Sequence, residues 1–211
     1  MDEDGAAMTS AGRAGADARA AGILLAAGAG SRMGRPKALV DDWLARAARL
    51  QMAAGLDPVV VVLGARADEA LARLPGDPRV VPVVAREWAS GQSASLRAGL
   101  RWLAAHADGV VGAVVSLVDL PRMRVEAFER VLAVARGAAD PAGALVRARH
   151  AEGPGHPVWL GRAHWAAIVA GAHGDEGARG HLATHPVRWA DCRDLACGRD
   201  VDRRPGHQLP R

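Results

Sequence analysis

Apolar and polar positions alternate along this chain in blocks that predict strands and helices in turn. Residues 21–27, AGILLAA, are a short continuous apolar run closed by glycine, the pattern of a strand buried on both faces. DDWLARAARLQMAAG then places Trp43, Leu44, Ala47, Ala48, Leu50 and Met52 at helical spacing, with Gly55 as the stop. PVVVVLG reads as a second buried strand, ADEALARL as a helix closed by PGDP, and RVVPVVA as a third strand weakened at Pro82. GQSASLRAGLRWLAAHADG opens with small polar residues suited to an N-cap and continues as a helix. VVGAVVSLVDLP is the strongest strand pattern; it ends at Asp119, and Pro121 opens the helix RVEAFERVLAVAR. A weaker strand GALVRAR, a Gly/Pro loop EGPGHPVWL, a helix RAHWAAIVAGA, a short helix in EGARGHLATHP and a short strand near VRWADC complete the pattern.

Strands alternating with helices at this spacing predict an α/β fold, a mostly parallel sheet covered on both faces. The 211 residues suit one domain with a sizeable core. We place that domain at 21–203, after a disordered leader at 1–20 that lacks apolar periodicity and before a short tail at 204–211. In open sheets of this class ligands bind beyond the carboxyl ends of the strands. Two features fall at such ends: the glycine loop after the first strand, and Asp119 after the strongest one.

Composition narrows the picture. Tyr is absent and Phe occurs once, so aliphatic side chains must fill the core. The formal charge of +4 comes from scattered Lys and Arg without a dense basic run; nothing in the pattern points to nucleic acid, and attraction for a small anionic ligand explains the excess equally well. Cys192 and Cys197 match no zinc or redox spacing and read as two unpaired thiols in a reducing compartment. No apolar stretch is long enough to span a bilayer, and the acidic MDEDGAAM start is unlike a secretory signal, which predicts a cytoplasmic protein without a membrane partner.

The glycine loop, ILLAAGAGSRMGRPK at 23–37, fails two familiar nucleotide motifs on spacing. A dinucleotide fingerprint needs G-x-G-x-x-G, but after Gly28 and Gly30 the third glycine, Gly34, comes one position late and Met33 stands where close packing is needed. An ATP-type loop needs Gly-Lys-Ser/Thr, whereas Gly34 is followed by Arg35, Pro36 and Lys37. An anion site remains: backbone N–H groups in a glycine nest, the planar donors of Arg32, and the point charge of Lys37.

LLAAGAGSRMGRPK resembles the L-A-A-G-x-G-x-R-M-G-x-x-K signature of the MobA-like nucleotidyltransferases, and within them the molybdenum cofactor cytidylyltransferase branch. WASGQSASLRAGL resembles that family's W-x-x-G-x-S-x-S-L-x-x-G, LVDLP its L-V-D-Q-P, GPGHPV its G-x-P-G-H-P-V, and DVD at 200–202 its late D-x-D-T-P. The resemblance spans most of 22–202. It implies a single-domain, Rossmann-like three-layer α/β/α fold of the nucleotide-diphospho-sugar transferase type.

It also implies the chemistry: transfer of a nucleoside monophosphate from an NTP to a phosphorylated acceptor, with release of pyrophosphate. By this resemblance Leu25, Ala26, Ala27, Gly28, Gly30 and Gly34 bind the nucleotide, Arg32 cradles the leaving phosphates, and Lys37 reaches the reacting one. Asp119 holds Mg²⁺ together with Asp200 or Asp202; taken alone, Asp119 would serve equally as a helix N-cap. Ser93, Ser95 and Arg97 line the nucleotide and acceptor pocket, although a serine there also suits a plain N-cap, and His156 stands near the acceptor. The alanine in LAAG, where guanylyl-transferring relatives carry glycine, favours CTP as donor. The implied acceptor is a molybdopterin-type cofactor, with a molybdoenzyme as a further partner. The His181–His185 pair has metal-like spacing without the glutamate of H-E-x-x-H, and we assign it no role.

Three departures bear on the acceptor. The segment after Lys37 runs almost directly into a helix, where the family has a loop and short strand. Ala85-Arg86-Glu87-Trp88 replaces Asn-Pro-x-Trp, and Leu120 replaces glutamine. They leave open two other readings: transfer from another NTP to a different phosphorylated metabolite, and a non-catalytic nucleotide-binding maturation factor for a molybdoenzyme.

Overall fold

The first apolar run becomes strand β1 (Arg19–Ala26), in a computed structural model that describes residues 19–198. Helix α1 (Trp43–Ala53), β2 (Val59–Leu63), α2 (Ala67–Leu71), β3 (Val80–Val84), α3 (Gln92–His106), β4 (Val110–Leu117) and α4 (Val125–Arg136) follow in alternation. Then come β5 (Leu145–His150), β6 (Gly153–Gly161), α5 (Trp165–Gly171), α6 (Arg179–Ala183) and β7 (Arg188–Asp191). The seven strands form one sheet in the order β3-β2-β1-β4-β6-β5-β7. All neighbouring pairs are parallel except the two made by β6, which runs antiparallel to both β4 and β5.

Because the central strands are buried on both faces, their alternation shows only in where each side chain goes. Ile23 and Leu25 of β1 and Val60 and Val62 of β2 pack with Leu96, Leu100 and Leu103 of α3 and Trp165 and Ile168 of α5. Leu24, Ala26, Val59, Val61 and Leu63 face the other way, onto Leu44 and Ala48 of α1 and Phe128, Val131 and Leu132 of α4. Two helical layers thus cover a period-two sheet, the expected three-layer α/β/α arrangement.

Three expectations change. Residues 152–160, read as a Gly/Pro loop, are mostly strand β6. The stretch with prolines pairs only with β5; pairing to β4 is confined to Val158–Gly161, so Pro154 and Pro157 sit where one edge of the strand is unpaired. Trp159 from this strand lies buried across Gly112 of β4, where a Cβ would come within 2.2 Å of its ring. Second, β1 begins at Arg19, so the last two residues of the expected leader belong to the sheet; residues 1–18 and the tail 204–211 lie outside the described residues. Third, Pro121 precedes rather than opens α4, whose N-cap is Arg124.

The position of the site follows from strand order. β1 and β4 are neighbours, with Leu25 beside Leu117, so the glycine loop after one strand meets Asp119 after the other. The chain crosses from β1 outward to β2 and β3, then returns to β4 on the other side. This reversal is where such sheets open a crevice at their carboxyl ends.

Candidate active site

A cleft of about 570 Å³ occupies that crevice. Its floor is Leu25, Ala26 and Ala27 from the end of β1 and Leu117 and Val118 from the end of β4. The loop Gly28–Met33 forms one wall; Trp88, Gly91, Gln92 and Ser95 form the wall opposite. The second wall includes the first turn of α3, a fifteen-residue helix whose N-terminal N–H groups and dipole favour an anion. Its N-cap, Gly91, supplies no side chain; the Asp175 carboxylate and the Gly174 carbonyl take the Gln92 and Ser93 N–H groups there.

Within the loop the glycines differ. Gly30 adopts φ +63° and a Cβ there would lie 1.9 Å from the Arg35 carbonyl oxygen, so the turn itself demands glycine. The Met33 N–H closes this turn on the Gly30 carbonyl at 2.8 Å. Gly28 lines the cleft with no left-handed φ, and a Cβ there would meet no described atom within 4 Å. No contact of the fold therefore requires glycine at 28, and its backbone is open to the cleft. Gly34 has φ +76° and stands outside the cleft lining.

Lys37 opens a single turn of 3-10 helix immediately after Pro36, and Ala38, Leu39 and Val40 are buried directly behind it. Burying them anchors the lysine at the cleft floor. Its Nζ donates to Asp119 Oδ2 at 2.6 Å, and the two side chains are only 17% and 15% exposed. Asp119 Oδ1 is buried without a hydrogen-bond partner among the described residues. A carboxylate oxygen left so is costly, by about 1–3 kcal/mol or more for a charged group, unless a ligand satisfies it. Arg32 is exposed on the loop wall of the same cleft. Asp119 does not cap a helix, since α4 starts six residues later.

The serine segment divides along the helix. Ser95, and Gln92 one turn earlier, face the cleft. Ser93 and Arg97 point instead at the loop after α5. The Ser93 hydroxyl donates to the His173 carbonyl at 2.8 Å and accepts from the Gly177 N–H at 3.0 Å; Arg97 donates to the Ala172 carbonyl at 2.6 Å. Neither residue lines the cleft, and neither serine caps α3. Their contacts hold the 172–177 loop, which carries Asp175 into the cleft, where its carboxylate accepts the Gln92 N–H at 3.2 Å. Gly91 makes the contact close: a Cβ there would lie 2.4 Å from the Gly174 carbonyl oxygen.

His156 lines a neighbouring cleft of about 80 Å³ with Arg147, Glu176 and Arg179; Leu25 and Gln92 belong to both clefts. Burial, then the positive Arg147 and the nearby His150, push its imidazole down to about 4. The ring therefore stays neutral at ordinary pH. Asp200 and Asp202 lie outside the described residues. Cys192 and Cys197 are buried free thiols, and burial pushes Cys192 up to about 11, which makes it a poor nucleophile.

Trp88, Gln92 and Asp175 are cleft residues that the motifs did not mark as ligands. Helical spacing could have separated Gln92 and Ser95 from Ser93 and Arg97. Nothing local to Asp175 announces its place, which depends on the Gly91–Gly174 contact.

Comparison with known proteins bears on this geometry. Nicotine blue oxidoreductase of Paenarthrobacter nicotinovorans is 36% identical over 190 residues, covering 86% of this chain and 91% of that protein. The crystal structure of an Rv0371c homologue from Mycobacterium sp. strain JC1 superposes with a TM-score of 0.72 at 27% identity, covering 88% and 91% of the two chains. Rv0371c of Mycobacterium tuberculosis H37Rv, in complex with manganese, gives 0.64 at 28% identity over 83% and 89%. The model of the MobA-like NTP transferase domain matches residues 22–189, from within β1 into β7. With the loop, the lysine and the strand-end aspartate all inside that span, the chain belongs to the MobA-like NTP transferase family.

Proposed function

We propose that this protein is a Mg²⁺-dependent nucleotidyltransferase that moves CMP from CTP to a phosphorylated acceptor of the molybdopterin type. The observation that carries the reading is the Lys37–Asp119 pair at the foot of a glycine loop, with one Asp119 oxygen buried and unpartnered. That oxygen suits a divalent cation, with Asp200 or Asp202 as the second carboxylate; Mg²⁺ is usually held by one or two carboxylates plus substrate phosphates. When bound, the cation supplies charge neutralisation at the phosphates.

The chain's own residues supply position. Backbone N–H groups around Gly28 and Gly30, with Arg32, hold the β- and γ-phosphates. Lys37 moves from Asp119 toward the α-phosphate as the nucleotide enters. An acceptor phosphate oxygen then bonds to Pα while the bond from Pα to the bridging oxygen breaks, and pyrophosphate carries away that electron pair. An acceptor already ionised needs no general base, so alignment and electrostatics do the catalysis. The neighbouring cleft, with Arg147, Arg179 and His156, suits the acceptor's phosphate. A cytoplasmic setting fits; among the described residues no helix is long and apolar enough to cross a membrane.

The test is pyrophosphate release from each NTP with Mg²⁺ or Mn²⁺ across a panel of phosphorylated acceptors. We expect turnover with CTP and a pterin phosphate; turnover with another pair reassigns the substrates, and CTP binding without turnover supports a maturation factor instead.

The 36% identity with nicotine blue oxidoreductase favours a second reading, oxidation–reduction of an organic substrate in the same cleft. Incubation with nicotine blue and a reduced nicotinamide dinucleotide, followed at the dinucleotide's absorbance, separates it from the first. Substrate-dependent oxidation without pyrophosphate chemistry establishes the redox reading.

A further inference from the structure

Away from the cleft, three histidines converge: His164 in the turn before α5, His181 in α6, and His185 just after it. One ring nitrogen of each lies within 4.8 Å of those of the other two. We propose that they form a binding site for a late first-row divalent transition metal, of which Zn²⁺ is the type.

The hydrogen bonds already select the ligand tautomers. His164 Nε2 lies 3.0 Å from the Gly143 carbonyl oxygen, which can only accept, so Nε2 carries the proton and Nδ1 presents a lone pair. His185 Nδ1 lies 2.8 Å from the His181 carbonyl oxygen, so it too donates, leaving Nε2 of that ring with its lone pair. This is the outer-sphere arrangement of metal-binding histidines, in which a backbone carbonyl fixes the ring through its other nitrogen. His164 Nδ1 faces His181 Nε2 at 3.0 Å, and between two nitrogens so placed one proton must sit, on His181. A metal ion takes the place of that proton, and His181 then carries its own on Nδ1. Burial and the two neighbouring imidazoles hold His181 below its ordinary pKa, in keeping with a neutral ligand.

One pair of nitrogens already stands at ligand spacing, and the third ring must turn to join it. Ligand nitrogens on a tetrahedral zinc stand roughly 3.3 Å apart, given Zn–N bonds of about 2.0–2.1 Å. The 164–181 pair is near that value, whereas the His181 and His185 rings stack at 3.9 Å between centroids and 20° between planes, so His185, an exposed side chain, must turn out of that stack to aim Nε2 at the ion. Three imidazoles without a carboxylate select Zn²⁺, Ni²⁺ or Cu²⁺ over Mg²⁺ or Ca²⁺. Binding would fasten α6 to the start of α5 and so pin the segment that follows Asp175.

Untagged, metal-free protein with Asp119→Asn, which removes the Asp119 carboxylate from the measurement, is titrated with Co²⁺ and Zn²⁺. We expect one equivalent of Co²⁺ to produce the intense visible bands of four-coordinate ligation by three nitrogens and one solvent oxygen, displaced by Zn²⁺. Adding His185→Gln or His164→Ala lowers Zn²⁺ affinity at least about tenfold with the circular dichroism unchanged. Zn²⁺ raises the melting temperature of the parent and not of the His185→Gln protein, whose fold is safe because that side chain is exposed. Absence of Co²⁺ bands, or Zn²⁺ affinity unchanged in both histidine variants, overturns the proposal.

Discussion

Replacing Lys37 with methionine should tighten divalent-metal binding while abolishing turnover. In the ligand-free protein the ammonium sits 2.6 Å from Asp119 Oδ2, on the carboxylate assigned to the metal. Bringing a cation to Asp119 therefore means working against a positive charge already there. Two unit charges about 4 Å apart at an effective dielectric of 20 interact by about 4 kcal/mol. The lysine stem can swing the charge away and solvent reaches both side chains, which reduces the net penalty to about 1–2 kcal/mol. Removing it should tighten Mn²⁺ roughly five- to thirtyfold, since each 1.4 kcal/mol is about a factor of ten. Methionine keeps the length and apolar stem of lysine, so the packing behind Ala38 and Leu39 is spared. Mn²⁺ binding without nucleotide, followed by electron paramagnetic resonance, gives the affinity. Added Mn²⁺ should also raise the melting temperature more in the variant than in the parent, because the bared carboxylate gains more from the ion. Pyrophosphate release should fall at least about 100-fold, the cost of losing one oriented donor at a developing charge. Equal or weaker Mn²⁺ binding in a folded Lys37→Met protein refutes the competition between lysine and metal for Asp119.

Gly28→Ala should leave the melting temperature unchanged and weaken nucleotide binding by at least about tenfold in calorimetry, because its Cβ meets only space reserved for the ligand; unaltered affinity would falsify the close phosphate approach. Gly30→Ala should lose both, since a left-handed alanine costs about 1–2 kcal/mol before its overlap with the Arg35 carbonyl is relieved. Arg97→Ala should destabilise by about 1–2 kcal/mol and speed hydrogen exchange at 174–177, whose anchor it removes; exchange at the parent rate there rules out a positioning role. His156, held neutral down to about 4, protonates near 6.5 in the unfolded chain, which therefore binds more protons between those values. Stability is then full above about pH 6.5 and falls as pH drops toward 4, by about 1–2 kcal/mol once the ring's partial exposure is allowed for. His156→Gln should remove that part of the loss in urea titrations at pH 7 and pH 4, and identical pH dependence in both proteins contradicts the assignment.

The layers of this fold were legible because buried parallel strands announce themselves as unbroken aliphatic runs, as in β1, β2 and β4. The same feature hid which residue faces which layer, since Ile23 and Leu24 are equally apolar and are sorted only by the helices packed on either side. β6 was missed because its glycines and prolines are loop punctuation when read locally. In place they answer to packing: a Cβ on Gly155 would stand 2.7 Å from the His150 ring, and one on Gly161 2.2 Å from the Ala142 carbonyl oxygen. At the site, the motif led to the right end of α3 but grouped Ser93 with Ser95. Two residues along a helix are about 200° apart, so one serine reaches the cleft and the other the 172–177 loop. The i, i+4 relation of His181 and His185 was visible in the chain; His164, seventeen residues upstream of His181, joins them only through the packing of α5 and α6.

The departures from the family pattern acquire meaning from where they fall. Leu120, in place of glutamine, is buried in the core with Met123 and lines neither cleft. Ala85 is buried beneath α3, and Glu87, on the surface, meets Arg97 at 3.4 Å. The shortened segment after Lys37 goes straight into buried positions. None of these changes replaces a glycine of the loop, Lys37 or Asp119 itself, so substitution has altered the surroundings of these residues and kept the residues. This bears on the choice between phosphate transfer and redox chemistry. An organic redox substrate by itself gains nothing from a buried carboxylate oxygen without a partner, and such an oxygen destabilises the fold that keeps it. A metal-bound triphosphate, as proposed, would use that oxygen, the lysine beside it and the open backbone at Gly28 together, which is why we prefer nucleotidyl transfer even beside a relative named for an oxidoreductase.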